Sequence, residues 1–232
     1  MEKMQVVKRR GKTEELNLEK VHAMVEEACA GLTGVSASQV EINSNLQFYD
    51  GIKTEDIQEI LVRSASDLID LENPNYQFVA ARLLSVSIRK KLFGRERKHP
   101  HIKTHLWKGA NKGIYDQELW GSYNDVEWDR INNYIDYDRD DQFTYAGLRQ
   151  VADKYLVQDR STGEIYESPQ QMYILIAASI FSVYPLETRL KYVKDYYDAI
   201  SKHQINLPTP IMAGVRTPIR QYASCVLVDI DD

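Results

Sequence analysis

Two sets of side chains in this sequence are of types that could do chemistry. The first is Ser224-Cys225, a hydroxyl beside a thiol, set between polar Arg220 and Gln221 and the apolar run Val226, Leu227, Val228 and Ile230. A thiolate is a nucleophile, and two thiols within reach make a two-electron donor. The other cysteine, Cys29, falls on an apolar helical face, where it reads as a core residue. Cys225 alone cannot form such a pair, and the bland reading of a single cysteine is a small buried hydrophobe. The second set is cationic: Lys8, Arg9, Lys20 and Lys90, with Glu14, Asn17 and Thr54 among them. A triphosphate needs convergent cations and backbone donors, and a helix starting at Asn17 adds N–H groups and a favourable dipole. Glu14 could accept from a base amine or a ribose hydroxyl. Taken singly these residues have blander readings: a Lys-Arg pair is ordinarily a solvated turn, Lys90 a helix C-terminal charge and Thr54 an N-cap. The set carries the claim.

The elements that must position them follow from pattern. Gln5 to Lys8 and Glu14 to Leu18 predict a hairpin around Arg10-Gly11-Lys12. Val21, Met24, Val25 and Ala28 fall at helical spacing, with Asn17 as cap and Gly31 and Gly34 as the stop. Val35 to Leu46, capped by Ser36, predicts a second helix. Thr54 opens a third, with Glu55 and Asp56 in its first turn and Ile57, Ile60, Leu61, Ser64 and Leu68 as its stripe. A fourth runs from about Asn75 to Leu92. Residues 1–93 thus read as a small sheet over a helical bundle.

Gly94 to Pro100 is charged and reads as a boundary. Helices are expected around Ile102 to Asn111, Asp116 to Gly121 and Asn124 to Asn133. Lys154 to Val157 and Gly163 to Glu167 predict a hairpin about Asp159 to Gly163. Ser168-Pro169 starts a helix to about Phe181, and Pro185 another through Ile200. Residues 94–206 therefore form a second, mainly helical domain. In residues 207–232, the segments LPTP and RTP are expected to hold the chain extended before a buried strand from Cys225 to Ile230. With no later strand to pair with, that strand calls for another polypeptide or a continuation of this one. The fold class is α+β, mainly helical.

Composition excludes several functions. The chain has 232 residues, 43% hydrophobic and 27% charged, with a net charge of -5. No general attraction to nucleic acid or membrane follows, and there is no signal peptide or long apolar span. Two cysteines without a CxxC fit a reducing, cytoplasmic setting and leave no structural zinc site. His99, His101 and His105 are better read as a solvated basic helix start than as ligands. Asp136 to Asp141 lacks the Gly and closing Glu of a calcium loop, and reads as structural ion pairing. No metal is expected.

Leu207 to Asp229, LPTPIMAGVRTPIRQYASCVLVD, resembles the entry into the catalytic barrel of aerobic (class I) ribonucleotide reductase large subunits. It keeps the family's LPTPIM, RTP and RQ, with Ala223 replacing the first Ser before Ser224-Cys225. The hairpin resembles the family's KYL…GE-YE run. Residues 1–93 resemble the ATP-cone, through Val6-x-Lys8-Arg9-x-Gly11, Glu14-x-x-Asn17-x-x-Lys20, Thr54-x-x-Ile57 and Lys90. The resemblance covers the whole chain. It implies ATP and dATP as allosteric effectors at Lys8, Arg9, Glu14, Asn17, Lys20, Thr54, Ile57 and Lys90. It implies Cys225 as one of two reducing thiols, Thr209 and Ser224 against the substrate diphosphate and ribose, and Asp232 at the start of a specificity-effector loop. Implied partners are a ribonucleoside diphosphate, a C-terminal chain completing the barrel, a radical-generating small (beta) subunit, thioredoxin or glutaredoxin, and a second copy in a homodimer. By the resemblance ATP activates and dATP inhibits, but Gln58 and Ser87 replace histidines that many inhibited members carry. The alternatives are a free-standing ATP-cone regulator and a non-catalytic interaction fragment.

Overall fold

The computed structural model describes residues 4–9, 11–94 and 98–228. The chain forms two compact units. One is drawn from the stretch to Lys91 with Asp140–Gln150, the other from Leu92–Arg139 and the stretch from Val151 on.

In the first unit, β1 (Gln5–Val7) pairs antiparallel with β2 (Thr13–Glu15), Val6 opposite Glu14. Gly11 makes the turn at φ 77°, where a side chain would be strained. A third strand, β3 (Ile52–Lys53), pairs parallel with β1, giving the order β2-β1-β3. Sequence pattern did not reveal β3, because two residues carry no periodicity. Helix α1 (Leu18–Cys29) starts as expected: Asn17 Oδ1 accepts from the Lys20 N–H at 2.9 Å. It buries Val21, Val25 and Ala28. Helix α2 (Ala37–Asn45) follows Ser36, which makes no side-chain cap; the Ser36 N–H instead donates to the Tyr76 hydroxyl. Helix α3 (Thr54–Ser66) begins one residue earlier than a Thr54 cap would place it. Lys53 is the N-cap, because strand pairing already fixes it extended. Helix α4 (Tyr76–Phe93) is buried nearly all round, with Val79, Ala80, Leu83, Leu84 and Ile88 in the core. Arg82 donates to the carbonyls of Ala28 and Ala30, so α4 places a cation at the C-terminus of α1. Helix α8 (Tyr145–Gln150) joins this unit through Arg149, 2.9 Å from Glu59.

In the second unit, α5 (Ile102–Ala110), α6 (Gln117–Gly121) and α7 (Asp125–Asn133) fall where patterning puts them. Tyr137–Gln142 is a 3-10 helix, not a calcium loop. Its Arg139 pairs with Asp136 and Asp198, the structural role expected of that run. Lys154 and Tyr155 are not strand: Val151–Tyr155 is a π-helical turn. The hairpin that follows is shorter than expected, β4 (Gln158–Asp159) with β5 (Glu164–Ile165).

Helix α9 (Pro169–Phe181) is the core of this unit, buried from Pro169 to Ala178 and started by a Ser168–Gln171 capping box. Helix α10 (Leu186–Ser201) packs on it, with the Tyr197 hydroxyl donating to Gln170 at 2.8 Å. The Glu127 carboxylate of α7 holds Arg189 of α10 at 2.7 and 2.5 Å. The LPTP segment is not extended throughout. Thr209–Gly214 is a short helix, α11, because a proline at the first helical positions loses no hydrogen bond and presets φ. Residues 221–228 form neither helix nor strand and are exposed. Val226 is 73% exposed, Leu227 97% and Val228 71%, so this run is not folded into a core. Ile230 and Asp232 lie outside the described residues, as does most of the charged run at 95–97.

Candidate functional site

The cationic set gathers at one edge of the small sheet, and the parallel β1–β3 pairing is what does it. Val7 lies opposite Lys53, so Lys8 and Thr54 leave the sheet at the same end. Lys8 Nζ sits 2.5 Å from Glu14, across the hairpin. The Arg9 guanidinium donates to Gln58 Oε1 at 3.5 Å, and Gln58 Nε2 lies 3.5 Å from Met24 Sδ. Lys90 Nζ approaches the same sulfur at 3.4 Å. Met24 of α1 is thus the point where the β1 turn, α3 and α4 converge. Lys20, four residues earlier on α1, shares its face.

Two expected contacts take a different form. Ile57 is 4% exposed and belongs to the core beneath the site. Asn17 spends its side-chain oxygen on the helix cap. Gln58, at 5% exposure, and Ser87, at 7%, are buried. In sequence Gln58 stands out only as a departure from the family's histidine; in the structure it is the physical link between Arg9 and Met24. A glutamine can donate and accept at once, which was the available signal.

At the other candidate site, Cys225 is exposed and its sulfur lies 3.9 Å from the Ser224 hydroxyl. Thr209 heads α11, its hydroxyl 3.4 Å from the Tyr155 phenol oxygen. Arg216, of the RTP motif, anchors the segment between them. It is fully buried and clasps Glu167, also fully buried. It donates as well to the carbonyls of Met212 at 2.6 Å and Tyr155 at 2.9 Å. Glu167 Oε1 accepts from the Val157 N–H at 2.8 Å, and Oε2 from the Tyr115 hydroxyl at 3.2 Å. His105 Nε2 meets that hydroxyl at 3.0 Å. Burial pushes His105 down to about 4, so it is neutral near pH 7. Burial, then the Glu167 charge, pushes the Tyr115 phenol well up. The ring of Tyr115 lies against the bare Cα of Gly109, where a Cβ would strike it. Arg220 extends the anchoring to Asp116 at 2.7 Å.

Cys29 is half-buried at the last position of α1, not a core residue; burial still pushes its thiol up, which disfavours the thiolate. The three neighbouring histidines point apart. His99 stacks on Tyr137, His101 caps α5 and pairs with Asp129, and His105 faces Tyr115. Among the described residues no three His, Cys, Asp or Glu converge on one point, and no helix is long and apolar enough to cross a membrane. A shallow groove of 660 Å³ between α7 and α10 is lined by Val126, Leu186 and Leu190 and contains none of the candidate residues.

Residues 4–91 match the ATP cone domain, and residues 141–220 match the ribonucleotide reductase all-alpha domain. The chain is 52% identical over 227 residues to ribonucleoside-diphosphate reductase 1 subunit alpha of Escherichia coli strain K12, covering 98% of this chain and 30% of that protein. It is 51% identical over 229 residues to the subunit alpha of Haemophilus influenzae, at 99% and 30% coverage. Against the subunit alpha of Enterobacteria phage T4 it is 38% identical over 234 residues, at 100% and 30% coverage.

The chain belongs to the ribonucleoside-diphosphate reductase alpha-subunit family. It spans 30% of the length of these reductase relatives and carries an ATP cone domain. The match over 141–220 sets aside a free-standing ATP-cone regulator, which would have no use for a reductase all-alpha domain.

Proposed function

We propose that this chain supplies the allosteric module and one redox thiol of a class I ribonucleoside-diphosphate reductase. The reading is carried by likeness along nearly the whole chain to reductase alpha subunits. ATP or dATP binds at the sheet edge. Lys8, Arg9, Lys20 and Lys90 neutralise the triphosphate, Glu14 takes the base or ribose, and Thr54 and the start of α1 add donors.

At the other end, Thr209 and Ser224 meet the diphosphate and ribose of the substrate. Cys225 gives one of the two thiols that reduce the ribose and are left as a disulfide. Its partner thiol, the thiyl radical and the carboxylate base come from the barrel, within which the run from Cys225 on, neither helix nor strand here, pairs as the entry strand. In the complete subunit the barrel covers the exposed Val226, Leu227 and Val228. Asp232 begins the specificity-effector loop. The domains are 1–93, 94–206 and 207–232. The complete subunit works as a cytoplasmic homodimer, with a beta subunit as the radical source and thioredoxin or glutaredoxin as reductant.

Purified alone, the chain is expected to turn over no cytidine diphosphate in the presence of beta subunit, thioredoxin and its reductase. Co-expressed with the remaining length of an alpha subunit, it should gain turnover that Cys225→Ser abolishes. Turnover by the isolated chain, or full activity of the Cys225→Ser complex, would refute the assignment.

A further inference from the structure

We propose that Tyr155 is a further substrate-binding residue, its phenol donating with the Thr209 hydroxyl to one phosphate of the ribonucleoside diphosphate. The inference rests on the reading that Thr209 docks the diphosphate.

The π-helical turn Val151–Tyr155 is held at every carbonyl. Val151 accepts from the Leu156 N–H at 3.0 Å. Ala152 accepts from the Gln158 amide at 3.1 Å, and Asp153 from Gln158 and from Arg160 at 3.1 and 2.9 Å. Lys154 accepts from Arg160 at 3.1 Å, and Tyr155 from the buried Arg216 at 2.9 Å. π turns are rare and are frequently found at functional sites. Five carbonyls, all met by donors from four residues, mean that this one is built to point its last side chain in a fixed direction.

That side chain is Tyr155, half-buried, with its oxygen 3.4 Å from Thr209 Oγ1. The same guanidinium also grips Met212 in α11, so the two hydroxyls are set from one buried centre. Two hydroxyls side by side, each able to donate, suit two oxygens of one phosphate. The hydroxyls of Tyr115 and Tyr197, by contrast, are each held by two protein residues, His105 with Glu167 and Asp136 with Gln170.

The test is steady-state kinetics on the complete reductase carrying Tyr155→Phe, with Thr209→Val beside it. Tyr155→Phe is expected to raise KM for cytidine diphosphate about tenfold, the usual loss for a hydrogen bond to a charged group, with kcat within about twofold. Because the hydroxyls share one phosphate, the double variant should lose less than the product of the single losses. A KM unchanged in Tyr155→Phe but raised in Thr209→Val overturns this inference and leaves the diphosphate reading standing. A KM unchanged in both overturns both. Difluorotyrosine at 155 keeps the shape and acidifies the phenol, so KM should climb as pH passes its lowered pKa. A flat profile there also overturns the proposal.

Discussion

The guanidinium of Arg216 closes on the carboxylate of Glu167 with both side chains fully out of water, Nε lying 3.0 and 2.9 Å from the two oxygens. The residues are 49 apart in sequence, and the pair ties the RTP motif to the residue before the N-cap of α9. Removing one partner of such a pair leaves the other charge buried and uncompensated.

Glu167→Ala is therefore expected to destabilise the second unit by about 3–5 kcal/mol. All three tryptophans, Trp107, Trp120 and Trp128, lie in that unit, so the urea midpoint followed by tryptophan fluorescence reads the loss directly. Lys191→Ala, which breaks an exposed pair with Asp195, should leave that midpoint essentially unchanged.

His105 gives the same unit a pH dependence. Unfolded, it takes a proton near pH 6.5; folded, only near pH 4. Between these values the unfolded chain binds more protons. Stability is full above the unfolded value and drains as pH falls through the window, by about 1.4 kcal/mol per pH unit and about 3 kcal/mol in all. His105→Gln keeps a partner for the Tyr115 hydroxyl and removes the titration. Its unfolding free energy should lose most of this slope between pH 4 and 6.5.

Asn17 separates stability from binding in the first unit. Asn17→Ala removes the α1 cap and should cost about 1 kcal/mol. Asn17→Asp keeps the cap and adds a negative charge where the triphosphate is placed. Thermal unfolding should find the Asp variant as stable as wild type, while its ATP affinity falls about tenfold.

What was legible in the sequence was what is local. The Asn17 cap and the Ser168-Pro169 start lie within three residues of the groups they serve, and both were read correctly. Strand β3 was missed because its identity lies in its pairing with β1. The helix at Thr209 was misread because proline marks both extended chain and a helix's first turn, and tertiary contacts to Arg216 decide between them. Tyr155 reads as strand in sequence, since an aromatic beside Leu156 and Val157 carries strand propensity, whereas the turn is held by the side chains of Gln158, Arg160 and the distant Arg216. The candidate cations were legible as a set. Their meeting point, Met24 with Gln58, was not, because a methionine on an apolar stripe reads as core.

The central claim, that nucleotide binds where Lys8, Arg9 and Lys90 gather, is tested most directly by calorimetric titration of ATP into the chain and into its Lys90→Ala variant. Saturable binding that weakens at least about tenfold in the variant is the predicted result. Equal affinity in the two proteins, or no heat of binding in either, would contradict it.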